Sequence, residues 1–269
     1  MSWRVIARMD GALTAEPRST RLLLGLPAVT VLAAAYLYPA FGTEPITTAR
    51  FTGFVDGWLA TVVPLAGILL GYDAVASERE SGALLLSLSL PHGRDDLVLG
   101  KALGRVGLLS GVLLAAMVVG AGLVVYPFGR FVAAPFCGFV ATTLAFGAIW
   151  TNLGIAASIS TATKQRAFVI AFGLFVLFVL VWDGIASGLR LGLNRAGLVD
   201  GTLPGPVRFV FDLEPGAVFQ RVTVGFLDPS AAVDGPWYLS EWAALVVFLL
   251  WLISPLALTY SRFAGSDLS

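Results

Sequence analysis

Six uninterrupted apolar stretches, each near the 20 or so helical residues that cross a bilayer, set the first constraint on this chain. They run over about 22–41, 57–76, 106–126, 132–157, 167–188 and 241–260. Lipid offers no partner to backbone N–H and C=O groups, so a spanning segment must bond internally, as an α-helix or within a closed barrel. Continuous apolar runs lack the in–out alternation of barrel strands. The expected fold class is therefore all-α integral membrane with six transmembrane helices. Of the 269 residues 57% are apolar and 13% charged, against about 25% charged in soluble domains. So few charges cannot coat a water-soluble surface of this size, which sets aside a soluble enzyme. Trp58, Tyr126, Trp237, Tyr238, Trp242 and Tyr260 fall near the ends of these runs, where interfacial aromatics belong.

The basic residues orient the chain. Arg4, Arg8, Arg18 and Arg21 precede the first run. Arg79, Arg94, Lys101 and Arg105 lie between the second and third, Lys164 and Arg166 between the fourth and fifth, and Arg262 after the sixth. The short loops opposite carry Arg50 and Arg130. Both termini are therefore expected on the cytoplasmic side. The first apolar run exceeds the length of a signal-peptide core, so a cleaved leader is not expected. In residues 1–16, Trp3, Ile6, Ala7, Met9 and Leu13 can share one helical face, with Arg4 and Arg8 on another and Pro17 as terminator. This spacing predicts a short helix lying in the cytoplasmic interface. One membrane domain spans 1–269, with a cytoplasmic connection at 77–105. The largest outer appendage is 189–240, in which Glu214-Pro215 followed by Ala217, Val218, Phe219 and Val222 marks a helix start.

Catalytic and cofactor chemistry is hard to build from what remains. One Cys, one His and three Met leave no metal-ligand cluster and no soft-ligand conduit across the membrane. Cys137 is expected to pack inside the fourth span. Zero net charge gives no basic field for nucleic acid. Gly93 through Ala102 resembles a phosphate loop, but six residues separate its glycines rather than four, and Ala102 stands where a hydroxyl must hold magnesium. His92 stands in a polar loop without a nucleophile beside it. Asp73 falls near the cytoplasmic end of the second span, and Asp183 well inside the fifth. A carboxylate at that depth should face protein or water, through an interhelical hydrogen bond or as a substrate-facing group. A lipid-active enzyme would need such groups at one depth, and Asp73, His92 and Asp183 are spread over several. Gly67/Gly71, Gly107/Gly111 and Gly184/Gly188/Gly192 repeat at the spacing that lets helices approach closely, within one subunit or between two.

The most informative stretch joins the second and third spans. It carries the charged cluster Glu78-Arg79-Glu80, then Gly82, the apolar run 84–90, Pro91, Arg94 and Gly100-Lys101. A short element held between two spans can transmit force from a soluble partner, or can be an ordinary charged juxtamembrane loop. These residues resemble the permeases of type 2 ABC transporters (the ABC-2 superfamily). Ala83 stands where that pattern commonly has Thr. The resemblance implies six spans, cytoplasmic termini, an N-terminal interfacial helix and cytoplasmic elements that contact an ATPase. Within the superfamily, the chain is most similar to permeases of the nitrous oxide reductase copper-site maturation systems. The residues are Pro64-Leu65 through Tyr72-Asp73-Ala74, Pro91-x-Gly93-Arg94, Gly100-Lys101, Phe178 through Asp183, and Glu214-Pro215 through Arg221. Glu214, Phe219 and Gln220 depart from that subgroup's pattern.

That resemblance implies a non-catalytic permease subunit with no cofactor of its own, ATP and Mg being bound by a separate chain. Its implied partners are a second copy of itself, two soluble ABC ATPase subunits, an extracytoplasmic copper-handling protein and membrane lipid, in the cytoplasmic membrane of a bacterium or archaeon. The expected ATPase-coupling residues are Glu78, Arg79, Glu80, Gly82, Pro91, Arg94 and Lys101, with Lys164 and Arg166 as a second contact. Asp183 is the intramembrane polar candidate, and Glu214 and Arg221 are outer docking candidates. A general exporter of a hydrophobic, peptide or ionic substrate is the alternative function.

Overall fold

The computed structural model describes residues 3–82, 93–126, 129–227 and 236–264. Among them the chain is all-α. Helix α1 (Trp3–Ala15) is followed by α2 (Arg18–Phe41), α3 (Thr48–Gly71), the short α4 (Ala76–Glu80), α5 (Arg94–Val125) and α6 (Ala133–Ile159). Next come α7 (Lys164–Phe175), a π-helical turn at Val176–Val181 and α8 (Trp182–Arg195), which together form one continuous crossing. Then α9 (Gly205–Phe211), α10 (Pro215–Leu227) and α11 (Glu241–Ala264) complete the chain. Six helical stretches are long and apolar enough to span a membrane, as expected.

The span limits shift where polar residues are helical. Helix α3 begins at Thr48 rather than 57, because the Thr47 hydroxyl accepts from the Arg50 amide and caps it. It ends at Gly71 rather than 76, where the chain turns into α4. Helix α5 starts at Arg94, not 106. Its 32 residues measure about 48 Å, well over the ~30 Å hydrocarbon thickness. Much of the expected cytoplasmic connection at 77–105 is thus an inward extension of the third span. The stretch Gly93–Ala102 is the start of this helix, with Asp95 and Asp96 in its first turn, where acids suit the helix dipole.

Helix α6 is the centre. It is apolar around its circumference, and its second half, from Phe146 to Ile159, is buried throughout. Against it, Gly71 of α3 lies so close that a Cβ would sit 2.3 Å from the Thr151 carbonyl oxygen, and a Cβ on Gly154 would sit 2.6 Å from that of Ile68. The Gly67/Gly71 repeat is therefore a seam within one chain. Gly107, Gly111, Gly184, Gly188 and Gly192 have open space at the same position. Phe219 of α10 stacks on Phe146 of α6, with centroids 4.4 Å apart, and Asn152 of α6 donates to the Leu252 carbonyl of α11 at 3.0 Å.

One side chain sits elsewhere than expected: Cys137 is exposed near the start of α6, not packed inside the span. Asp183 is exposed and lies within the fifth crossing, about 28 Å along the helix from Lys164.

Candidate functional site at the cytoplasmic end

Lys101 and Arg105 are four residues apart on α5 and so share a face. That face is covered by α1, which approaches because the helix there is made of glycine: a Cβ on Gly100 would lie 2.6 Å from Ile6 Cβ, and one on Gly104 2.6 Å from the Ala7 carbonyl oxygen. A helix stands where the interfacial one is expected, at Trp3–Ala15. Its protein-facing stripe is Ile6, Ala7, Asp10 and Gly11, whereas Trp3, Met9 and Leu13 are exposed, on the side available to headgroups. Asp10, which stands three and four residues from Ala7 and Ile6 and so shares their stripe, is the residue that binds α1 to the bundle.

An ion-pair network forms around it. Lys101 donates to Asp10 Oδ1 at 3.0 Å and to Glu78 Oε1 at 2.7 Å. Arg105 donates to Asp10 Oδ2 at 3.2 Å and, through Nη1, to the Asp73 carboxylate and the Leu70 carbonyl. Lys164, at the start of α7, stands 3.6 Å from the other Asp73 oxygen and 5.7 Å from the Tyr72 ring centroid. Lys101 and Arg105 are 4% and 6% exposed. Such charges are tolerable in the interior only when paired and hydrogen-bonded, and here each of the two meets two acidic side chains, Arg105 the Leu70 carbonyl as well. Asp73 is thus a counter-ion to Arg105 and Lys164.

The second expected contact joins the same platform. Ser158 Oγ accepts from the Val75 and Ala76 amides, both at 2.9 Å, which fixes the start of α4 to α6. Arg79 donates to the Ile159 and Thr161 carbonyls at 3.3 and 2.6 Å, serving the free carbonyls at the end of α6. Glu80 accepts from the Lys164 amide at 3.0 Å and so caps α7. Gly82 has φ +75°, a left-handed conformation that glycine adopts without steric cost, and it turns the chain out of α4. Arg94 is the first residue of α5. Arg166 is exposed on the first turn of α7. Pro91 and His92 lie outside the described residues, as does the apolar run 84–90. The structure therefore unites Glu78, Arg79, Glu80, Lys101 and Lys164, although Lys101 lies inside the network rather than on its surface. Sequence reasoning missed Asp10, Arg105 and Ser158 as members. The Gly100/Gly104 pair flanking Lys101 was the available signal, since it marks a helix crossing there.

On the outer side, Glu214 is buried and Arg221 half-buried. Glu214 is 7% exposed, and its two oxygens accept from the Gly216 and Ala217 amides at 2.6 Å each, capping α10. Arg221 donates to the Ser240 carbonyl at 3.2 Å and lies 3.6 Å from Asp212. The polar atoms of both hold the outer segment together. Two indoles pin the same corner, Trp182 to the Phe211 carbonyl at 3.0 Å and Trp251 to the Leu213 carbonyl at 2.8 Å.

Burial raises the Glu214 carboxyl above its ordinary value of 4.5, against the two amides that favour its charged form. A folded-state pKa above the unfolded one means that the folded chain holds the proton more tightly. This contribution to stability is present below about pH 4.5 and is lost as pH rises through the folded value. Thermal unfolding of the wild type between pH 4 and 8 is expected to include this fall, and Glu214→Gln to flatten it. Parallel pH profiles for the two proteins would refute the assignment.

Among the described residues no group of three or more His, Cys, Asp or Glu is placed to hold a metal. Residues 9–268 match the model of the ABC-2 family of transporter proteins. The chain is 32% identical over 251 residues to a Pseudomonas aeruginosa protein named "Probable ABC transporter permease protein NosY", covering 86% of this chain and 84% of that one. It is 28% identical over 233 residues to a protein of the same name from Stutzerimonas stutzeri, covering 82% and 78% respectively. With its six spans and α1 laid across the inner end of α5, the chain is a multi-pass membrane protein of the ABC-2 transporter family, and of the permease type.

Proposed function

We propose that this permease couples ATP hydrolysis by a separate soluble ATPase to movement of its membrane helices, and that the cytoplasmic ion-pair network is where the force enters. The observation that carries this is Lys101, which holds α1 through Asp10 and α4 through Glu78 at once. A push on the segment between Gly82 and Gly93 is then transmitted to α5 and α1 through ion pairs, and to α6 and α7 through Arg79, Ser158 and Glu80. Two permeases and two ATPases form the working unit in the cytoplasmic membrane of a bacterium or archaeon, with ATP and Mg in the ATPase. The more specific role, copper-site maturation of nitrous oxide reductase with an extracytoplasmic copper-handling partner, is supported by the sequence resemblance.

Reversing Glu78 and Glu80 to Lys is expected to abolish stimulation of the ATPase in the purified complex while the chain still inserts in the membrane. Glu80→Gln alone, which leaves Lys101 paired, is expected to weaken stimulation by several-fold, the loss of one charge-assisted bond. Unchanged stimulation in both variants would reject the coupling site.

A further inference from the structure

Near the outer surface α2, α3 and α10 line a cavity of about 710 Å³, remote from the cytoplasmic network. Asp56, Tyr38 and Thr223 all line it. Asp56 is eight residues into α3, about 12 Å below its outer end. Its Oδ1 is buried and has no hydrogen-bond partner among the described residues, and the same holds for the Tyr38 hydroxyl and Thr223 Oγ1. Tyr38 is 1% and Thr223 7% exposed. A helical threonine ordinarily satisfies itself on the carbonyl four residues back, as Thr30, Thr142, Thr151 and Thr259 do in this chain. Thr223 does not. Arg50, also in the lining, gives its guanidinium to the Glu44 carbonyl and forms no ion pair with Asp56 among the described residues. A carboxylate and two hydroxyls left open at this depth are costly unless something fills them.

We propose that this cavity binds a primary ammonium group, with Asp56 as its counter-ion and Tyr38 and Thr223 as further acceptors. An ammonium carries three N–H donors and one positive charge, which matches three open acceptors of which one is anionic. The Tyr38 and Phe54 rings, with centroids 5.4 Å apart, are part of the same wall. The volume is that of an organic ligand site and far exceeds a bare ion, so the ammonium arrives on a larger molecule. Two sources share this chemistry: the ethanolamine headgroup of an outer-leaflet phospholipid, for whose phosphate Arg50 stands at the lining, and a free amine from the outer compartment.

The test uses the full chain in nanodiscs of equal phosphatidylethanolamine and phosphatidylcholine, extracted gently and weighed intact by mass spectrometry. Choline has no N–H donor and cannot serve these acceptors. Wild type is expected to retain ethanolamine lipid about tenfold over choline lipid, the value of one hydrogen bond to a charge, with the preference lost in Asp56→Asn and reduced in Thr223→Val. In the second arm, free ethanolamine is titrated into wild type in choline-only discs. A rise in thermal stability there that Asp56→Asn abolishes, with no lipid preference in the first arm, assigns the site to a soluble amine. Thr223→Val keeps shape and charge, so it remains informative if Asp56→Asn does not fold. Variants that match wild type in both arms, or equal retention of both lipids with no ethanolamine response, would overturn the proposal.

Discussion

Lys101→Met will loosen α1 from the bundle and lower the stability of the folded chain by about 3 kcal/mol, the cost of leaving buried partners without their counter-charge. For a chain of this size that is a fall of roughly 6–10 °C in the thermal transition. Met preserves the stem of Lys, so the loss reports on the charge. After the change Asp10 keeps only Arg105, and Glu78 loses its only described ion-pair partner. Adding Asp10→Asn removes one of the stranded charges, so the double variant is expected to be less destabilised than the sum of the two single ones. Non-additivity of 0.5 kcal/mol or more is the mark of groups in one network. Protease cleavage near Pro17 should rise with Lys101→Met and report directly on α1. Additive effects and unchanged cleavage would mean that α1 is held by Ile6 and Ala7 against Gly100 and Gly104 alone.

A larger effect is expected at the seam between α3 and α6. At Gly71 an added Cβ would meet the Thr151 carbonyl oxygen at 2.3 Å, the Ile155 amide nitrogen at 2.7 Å and Gly154 Cα at 2.8 Å. All three are backbone atoms, so no side chain can rotate away and one helix must move. Gly71→Val is expected to cost more than about 3 kcal/mol, at the severe end of overpacking, and to prevent recovery of monodisperse protein. Gly107→Ala and Gly188→Ala are the matched controls. With nothing within 4 Å of the added atom, each should be neutral, or stabilising by up to about 1 kcal/mol through helix propensity. Equal behaviour at Gly71 and Gly188, measured by size-exclusion profile and thermal melt, would contradict this packing. Loss of pairing between copies in Gly107→Ala, with stability intact, would instead place that open stripe in a seam between two chains.

The spans were legible because hydrophobic length is a one-dimensional property. The limits that moved are those where polar residues are helical: Thr48 to Asp56 in α3 and Arg94 to Arg105 in α5 lower the local hydropathy without breaking the helix. The fifth helix likewise starts three residues before its apolar run at 167, because Thr163 and Glu80 cap it there. Glu78, Glu80 and Lys101 stood out as a charge pattern next to membrane. Asp10 did not, because a single acid within the stripe of Ile6 and Ala7 names no partner, and only the crossing of α1 over Gly100 and Gly104 brings Lys101 and Arg105 to it. The cavity around Asp56 was hidden for a related reason. Its walls come from residues 38–56 and 223–227, distant in the chain, and no local spacing announces that they meet.

The continuity of α5 has a mechanical consequence. From the ion pairs at Lys101 and Arg105 to Val125 it is one unbroken helix, stiff over the thickness of the membrane. Just past its outer end Arg130 exchanges backbone hydrogen bonds with Ile46 and Thr48, at 3.0 and 3.1 Å. A lever pivoting at mid-bilayer swings its two ends in opposite directions by similar distances. An ångström of tilt imposed at the inner charges is therefore returned as a comparable displacement at the loops where α3 begins, with no hinge along the way to absorb it.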